Sequence, residues 1–330
     1  MRKFIKLGLL SGIALLTTVG LVVAVHWQVK TGEAGLLSKR DGVLQLADSI
    51  LGEKRFDLAA STDMVFDETD EYVLFGRWGS APPESEAAGG ASLKVMRRDG
   101  TDERALADSP VVEARFDRAG KNVYYVTVDR VLYSVGVNGG AVRRMQSKVL
   151  SFDLSSDGSR VVYQKLNADW QPGDYFDRAL GLTILDLKNG AEKFVSHDWE
   201  DFGPIWTPDG RRVLFFSRDV DGNEVHFIVS ADGTDRRRLK TPSGETVPVP
   251  SERPIWSSDG RYLVYESDRS IWLNEFDVAR GTLRSAKRIG YGKHPRWTDD
   301  GRAVRVLVGD YGDFSPASTI TLDLDGKITK

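Results

Sequence analysis

Pro204-Ile205-Trp206-Thr207-Pro208-Asp209-Gly210-Arg211 recurs as Pro254-Ile255-Trp256-Ser257-Ser258-Asp259-Gly260-Arg261, and again as Pro295-Arg296-Trp297-Thr298-Asp299-Asp300-Gly301-Arg302. Each copy sets a tryptophan four positions ahead of a glycine and an aspartate just before that glycine. Weaker copies keep the bulky residue ahead of a turn: Leu154 before Asp157-Gly158, Phe116 before Gly120, and Phe66 before Asp70, where the glycine is lost. The six anchors Phe66, Phe116, Leu154, Trp206, Trp256 and Trp297 are spaced by 50, 38, 52, 50 and 41 residues. A period of about 46 residues fits a four-stranded propeller blade.

A short run of β-branched and aromatic residues follows every anchor turn: Tyr72 to Phe75, Val123 to Val126, Val161 to Tyr163, Val213 to Phe216, Tyr262 to Tyr265 and Val304 to Val308. These runs read as second strands. A third strand then ends at Asp99-Gly100, Asn138-Gly139, Asn189-Gly190, Asp232-Gly233, Arg280-Gly281 or Asp325-Gly326. Such dipeptides suit turns that need positive φ. The expected fold is all-β, a six-bladed β-propeller of four-stranded antiparallel blades.

The repeat resembles the PD40 or TolB-like unit, a WD40-like six-bladed propeller module with the signature P-x-W-S-P-D-G followed by a strand. The resemblance covers residues 61–330, with Phe66, Phe116 and Leu154 in place of the family tryptophan. TolB-like proteins of the Tol–Pal system carry an α/β domain before the propeller. Here about 35 residues, 26–60, separate the first apolar segment from the first anchor strand.

That segment, Leu7 to Val25, carries no charge and follows Arg2, Lys3 and Lys6. At about 1.5 Å per residue a helix of this length would nearly cross a hydrocarbon layer of about 30 Å. The expectation is a retained signal anchor over 7–25, a cytoplasmic basic segment over 1–6 and everything after Lys30 on the far side of the membrane, in a bacterial periplasm; the rival is a cleaved signal peptide. Residues 26–60 form a linker in which Val43 to Ala47 is expected to join the final blade and close the ring. A plain linker is the other reading.

Composition excludes several chemistries. With no cysteine, disulfides, thiolate metal sites and cysteine nucleophiles are absent. A net charge of -3 supplies no overall basic field for nucleic acid. No G-x-S-x-G elbow occurs, so a serine hydrolase centre is not expected. The four histidines, His26, His197, His226 and His294, lack ligand spacing, although His197 and His294 are expected in connections on one face. No metal, cofactor or catalytic residue is therefore assigned. Asp219-Val220-Asp221-Gly222-Asn223-Glu224 reads as a hairpin turn rather than a calcium loop, and Arg236-Arg237-Arg238 as an exposed strand edge.

Blade geometry puts the tight Asp-Gly turns on one face and the long insertions on the other: Trp78 to Ser92, Leu166 to Leu180, Thr241 to Arg253 and Gly309 to Ala317. Loops held by a rigid scaffold carry binding residues, so the long-loop face is the expected interaction surface. Its candidates are Trp170, Asp174, Tyr175, Phe176, Asp177, Arg178, His197, Asp198, Asp201, Tyr311, Asp313 and Phe314. Mixed aromatic and charged side chains suit a protein contact; the competing reading is an aromatic lid packed on its own blade. The repeat tryptophans are expected to pack between blades, so that Trp256→Ala costs about 3 to 5 kcal/mol. The expected function is non-catalytic binding of another envelope or membrane protein. The alternative is a polysaccharide- or small-ligand-binding propeller, conceivably a metal-dependent lyase, acting at the channel mouth.

Overall fold

The computed structural model describes residues 63–77, 91–171, 179–251, 253–298, 300–308 and 318–329. The basic segment, the apolar segment, the linker with Val43 to Ala47 and residues 78–90, 172–178 and 309–317 of three long insertions lie outside these residues. Among the described residues there is no helix, and none long and apolar enough to cross a membrane.

Twenty-three strands form six four-stranded antiparallel units among the described residues. The first unit holds β1 (Asp63–Glu68), β2 (Tyr72–Arg77), β3 (Ala91–Arg97) and the start of β4 (Arg104–Phe116). β4 runs on to become the inner strand of the second unit, beside β5 (Asn122–Thr127), β6 (Val131–Gly136) and β7 (Arg143–Ser147). The third comprises β8 (Val149–Leu154), β9 (Arg160–Leu166), β10 (Ala179–Asp186) and β11 (Glu192–Phe194). The fourth comprises β12 (Phe202–Trp206), β13 (Arg212–Arg218), β14 (Glu224–Ser230) and β15 (Arg237–Arg238). β16 (Ile255–Trp256), β17 (Tyr262–Ser267), β18 (Ser270–Asp277) and β19 (Thr282–Tyr291) make the fifth. β20 (Lys293–Trp297), β21 (Ala303–Val308), β22 (Ser318–Asp323) and β23 (Ile328–Thr329) make the sixth, which takes its four strands from residues 293–329.

The repeated motif is a turn held by its own side chains. Thr207 Oγ1 donates to Asp209 Oδ1 at 2.7 Å, the Arg211 N–H donates to the same oxygen at 3.0 Å, and the Arg212 N–H donates back to Thr207 Oγ1 at 3.0 Å. Ser257 and Asp259 repeat the arrangement, as do Ser155 with Asp157 and Thr298 with Asp300. Hydroxyl and carboxylate together satisfy main-chain groups that the tight turn leaves without ladder partners. The Ser155 and Ser159 bonds lower Asp157 to about 2.

The first blade departs from the pattern. There the Thr69 N–H reaches the Tyr72 carbonyl across three residues, whereas the Thr207 N–H reaches Arg212 across five. The shorter turn, with a bulge between Val65 and Asp67, moves Glu68 opposite Val73, where Trp206 stands opposite Val213. Glu68, not Phe66, thus holds the anchor position. Phe66 instead covers Gly76, where a Cβ would come within 2.6 Å of its ring.

Neighbouring blades share apolar layers. Leu74 and Leu93 pack with Val123 and Val135, Val162 and Leu182 with Val213 and Phe215, and Val264 and Leu273 with Val304 and Leu322. Each such side chain contributes about 1.5 to 3 kcal/mol on burial, so the blades stabilise one another rather than standing alone. Polar contacts of the inner strands join every successive pair. The Phe116 N–H donates to Asp67 (2.9 Å), Arg115 Nε to the Phe152 carbonyl (3.2 Å) and the Trp206 N–H to Asp153 (2.8 Å). Trp256 Nε1 donates to the Trp206 carbonyl (2.9 Å) and Trp297 Nε1 to the Ile255 carbonyl (3.1 Å), while Arg296 lies 3.6 Å from Glu68 and brings the sixth blade to the first. Trp206 is 3% exposed; Trp256 and Trp297 are only half-buried.

Candidate functional site: the long-loop face

Loops between second and third strands, and connections between blades, emerge together at the starts of the inner strands. The connection from β11 to β12 is the most elaborate of those described. Asp201 is wholly buried there, accepting hydrogen bonds from Ser196 Oγ and from Arg236 Nη2, the latter at 2.8 Å. Arg236 reaches this point from the outer edge of the fourth blade, its guanidinium 4.4 Å from the Phe227 ring centre and 5.5 Å from that of Phe215. Asp198 lies 3.5 Å from the same guanidinium. His197 stacks on Phe194, ring centres 4.6 Å apart.

These contacts correct two expectations. Asp201 is a structural brace and is not available to a ligand. Nor are the three arginines a bare edge, because Arg236 braces the connection, Arg237 donates to the Arg280 and Gly281 carbonyls, and Arg238 pairs with Asp219 at 2.9 Å. Trp170 differs from expectation as well. It is 3% exposed, packed with Leu150, Leu166 and Ala179 under the Lys148 ammonium, and so caps its own blade. Asp174, Tyr175, Phe176, Asp177, Arg178, Tyr311, Asp313 and Phe314 lie outside the described residues.

The Thr241 to Arg253 insertion is pinned down rather than projecting. Val247 is buried, Ser267 Oγ donates to the Val249 carbonyl at 2.7 Å, and His226 Nε2 lies 2.8 Å from the Pro248 carbonyl. Burial pushes the His226 imidazole down to about 4. His226 is therefore neutral near pH 7, with Nε2 donating to that carbonyl. His294 sits within the inner strand β20, at φ 49°, rather than in a connection. Asp219 Oδ1 accepts the N–H groups of Asp221 and Asn223, closing the hairpin turn expected there.

Exposed apolar side chains gather on this face. Of six large exposed hydrophobics among the described residues, Leu180, Trp199, Val220 and Tyr291 all belong to long-loop ends. Trp199 is 47% exposed. Gly181, at φ 106°, packs its backbone against the Ser196 carbonyl and the Asp198 nitrogen, where a Cβ would collide. Glu200, beside Trp199, lies 3.8 Å from Arg218, which precedes the Val220 turn. Charged pairs surround these side chains: Glu200 and Glu224 with Arg218, Asp198 with Arg236 and Asp219 with Arg238, while Arg288 lies over the Tyr291 ring. Trp199 was not singled out from the sequence; its signal was a tryptophan outside the repeat, flanked by Asp198 and Glu200.

The inner strands and the residues leading into them also carry paired charge. Glu113 pairs with Arg115, and Arg253, arriving from the fifth blade, pairs with Asp153 of the third. Desolvation and the adjacent Arg115 push the Arg253 guanidinium below its usual range. Among the described residues no three histidine or carboxylate side chains form a metal-holding group.

No family model matches the chain. Over 110 residues, 33% of the chain, it is 28% identical to the uncharacterized peptidase YuxL of Bacillus subtilis, and over 61 residues, 18% of the chain, 34% identical to the Tol-Pal system protein TolB of Rhizorhabdus wittichii. The matched stretches span only 15% and 14% of those relatives' own lengths. Among solved structures, an oligogalacturonate lyase in complex with manganese superposes with a TM-score of 0.57 at 17% identity, over 79% of this chain and 73% of that one. TolB from Acinetobacter baumannii superposes with a TM-score of 0.50 at 17% identity, over 72% and 58%.

Proposed function

From the premise that the chain has a TolB-like, PD40 β-propeller fold, we propose that it is a non-catalytic, membrane-anchored extracytoplasmic propeller whose long-loop face binds another protein of the cell envelope. The observation that carries this reading is the exposed set Trp199, Leu180 and Val220 on one face. A tryptophan on a rigid loop, ringed by polar residues, is the usual anchor of a protein interface. The ion-paired rim around these side chains favours a partner segment with an apolar centre and a polar border. The likeness to the Tol-Pal system protein TolB supports an envelope setting, and Leu7 to Val25 supplies the anchor in this reading.

A ligand in the channel is the second reading, favoured by the arginines at the inner strands and by the lyase neighbour. Against it, Arg115 and Arg253 are already matched by Glu113 and Asp153.

Quantitative co-purification from native membranes tests the proposal. Trp199→Ala with Leu180→Ser is expected to lower recovery of one partner about tenfold. Val142→Ser, which alters an exposed apolar residue at the opposite face, is expected to leave it unchanged. Equal recovery from all three proteins would contradict the assignment of the face.

A further inference from the structure

A groove of about 530 Å³ opens on the other face, between the Asp209–Arg212 turn and the turn that follows β14, with Arg160 of the third blade along its side. Three guanidinium groups line it, and Arg160, Arg211 and Arg212 form no ion pair among the described residues. Two of them are held in place by main chain: Arg160 Nη2 donates to the Gly210 carbonyl at 2.8 Å, with its guanidinium 4.5 Å from the Trp206 ring centre, and Arg212 Nη1 donates to the Val278 carbonyl at 3.0 Å. Arg211 is exposed beside them.

Two ionised carboxylates, Asp209 and Asp232, line the groove with the three guanidinium groups, which leaves one positive charge in excess. Asp209 Oδ1 accepts the Thr207 hydroxyl and the Arg211 N–H, and Asp232 Oδ1 accepts the Thr234 N–H and hydroxyl at 2.9 and 2.6 Å. Both serve their own turns. Arg237 stands beside Arg212, since a Cβ at Gly281 would lie 2.8 Å from Arg212 Cδ and 3.1 Å from Arg237 Nη2, but it pairs with Asp235 outside the groove. The excess charge is thus that of Arg160, Arg211 and Arg212, and guanidinium groups in excess beside an open polar groove are stabilised by an anion.

We infer that this groove binds a small polyanion through phosphate or carboxylate oxygens, with Arg160 and Arg212 as pre-oriented donors and Arg211 closing over the ligand. Guanidinium forks suit either group, and the volume fits one small molecule. The site lies on the face opposite Trp199 and stands independently of the protein contact proposed above.

Titration calorimetry of the full chain with inorganic pyrophosphate and, separately, with citrate tests this at low ionic strength. One saturable site is expected, weakened about tenfold or more by Arg211→Gln and by Arg160→Gln. Arg261→Gln, which alters the corresponding exposed arginine of the fifth blade, is expected to leave binding unchanged. Response to pyrophosphate alone assigns a phosphate ligand, and response to citrate alone a carboxylate ligand. If Arg160→Gln does not fold, the exposed Arg211→Gln decides. No saturable binding of either anion, or equal weakening by Arg261→Gln, would overturn the inference.

Discussion

Trp206 and Trp256 hold the same position in successive repeats but do different work. Trp206 is buried beneath Arg160, with its main-chain N–H fixed by Asp153, whereas Trp256 is half-buried and donates its indole N–H to the Trp206 carbonyl. Trp206→Ala should cost about 3 to 5 kcal/mol. Trp256→Ala should cost less, because a half-buried side chain loses less area; denaturant titration of both variants checks the order, and equal losses would contradict it. His226 gives a residue-scale pH effect. Its folded value of about 4 lies below the unfolded value of about 6.5, so the unfolded chain takes up the proton first. Stability should fall as pH drops from about 6.5 to 4, by at most about 1.4 kcal/mol per pH unit. In His226→Gln, which retains a donor for the Pro248 carbonyl, the same titration should give a shallower slope. None of this was legible from residue type. A single histidine in the sequence does not reveal whether a carbonyl waits beside it.

At the scale of strands and turns, much more could be read in advance. Ser/Thr-x-Asp-Gly announces its turn because the hydroxyl and carboxylate that close it are local, and the second and third strands fall where the β-branched runs and turn glycines placed them. The first blade escaped because its turn is two residues shorter, which carries the anchor position from Phe66 to Glu68. Long-range partners were equally invisible. Asp201 looked like a surface carboxylate and is instead buried against Arg236, 35 residues away. Removing Asp201 leaves Ser196 and part of the Arg236 guanidinium without their acceptor, although Asp198 and water still reach Arg236, so Asp201→Ala should destabilise the chain by about 1 to 3 kcal/mol. Hydrogen exchange should then show early opening of the β11–β12 connection. Full protection there would contradict the bracing role.

For the whole molecule, the two ends of the blades carry different chemistry. Side-chain-closed turns and the arginine-lined groove mark one end, whereas the exposed side chains of Trp199, Leu180, Val220 and Tyr291 mark the other. The sequence distinguished the ends by loop length and spread its candidates over the long-loop face; of these Trp170 is buried, whereas the exposed Trp199 lies between the candidates Asp198 and Asp201. Site-specific photo-crosslinking in native membranes tests this most directly, with a photoreactive phenylalanine analogue placed at position 199 and, in a second protein, at position 142. The account predicts a discrete crosslink to one envelope protein from position 199 and none from position 142. Crosslinks of equal yield from both positions, or none from position 199 in a folded protein, would contradict it.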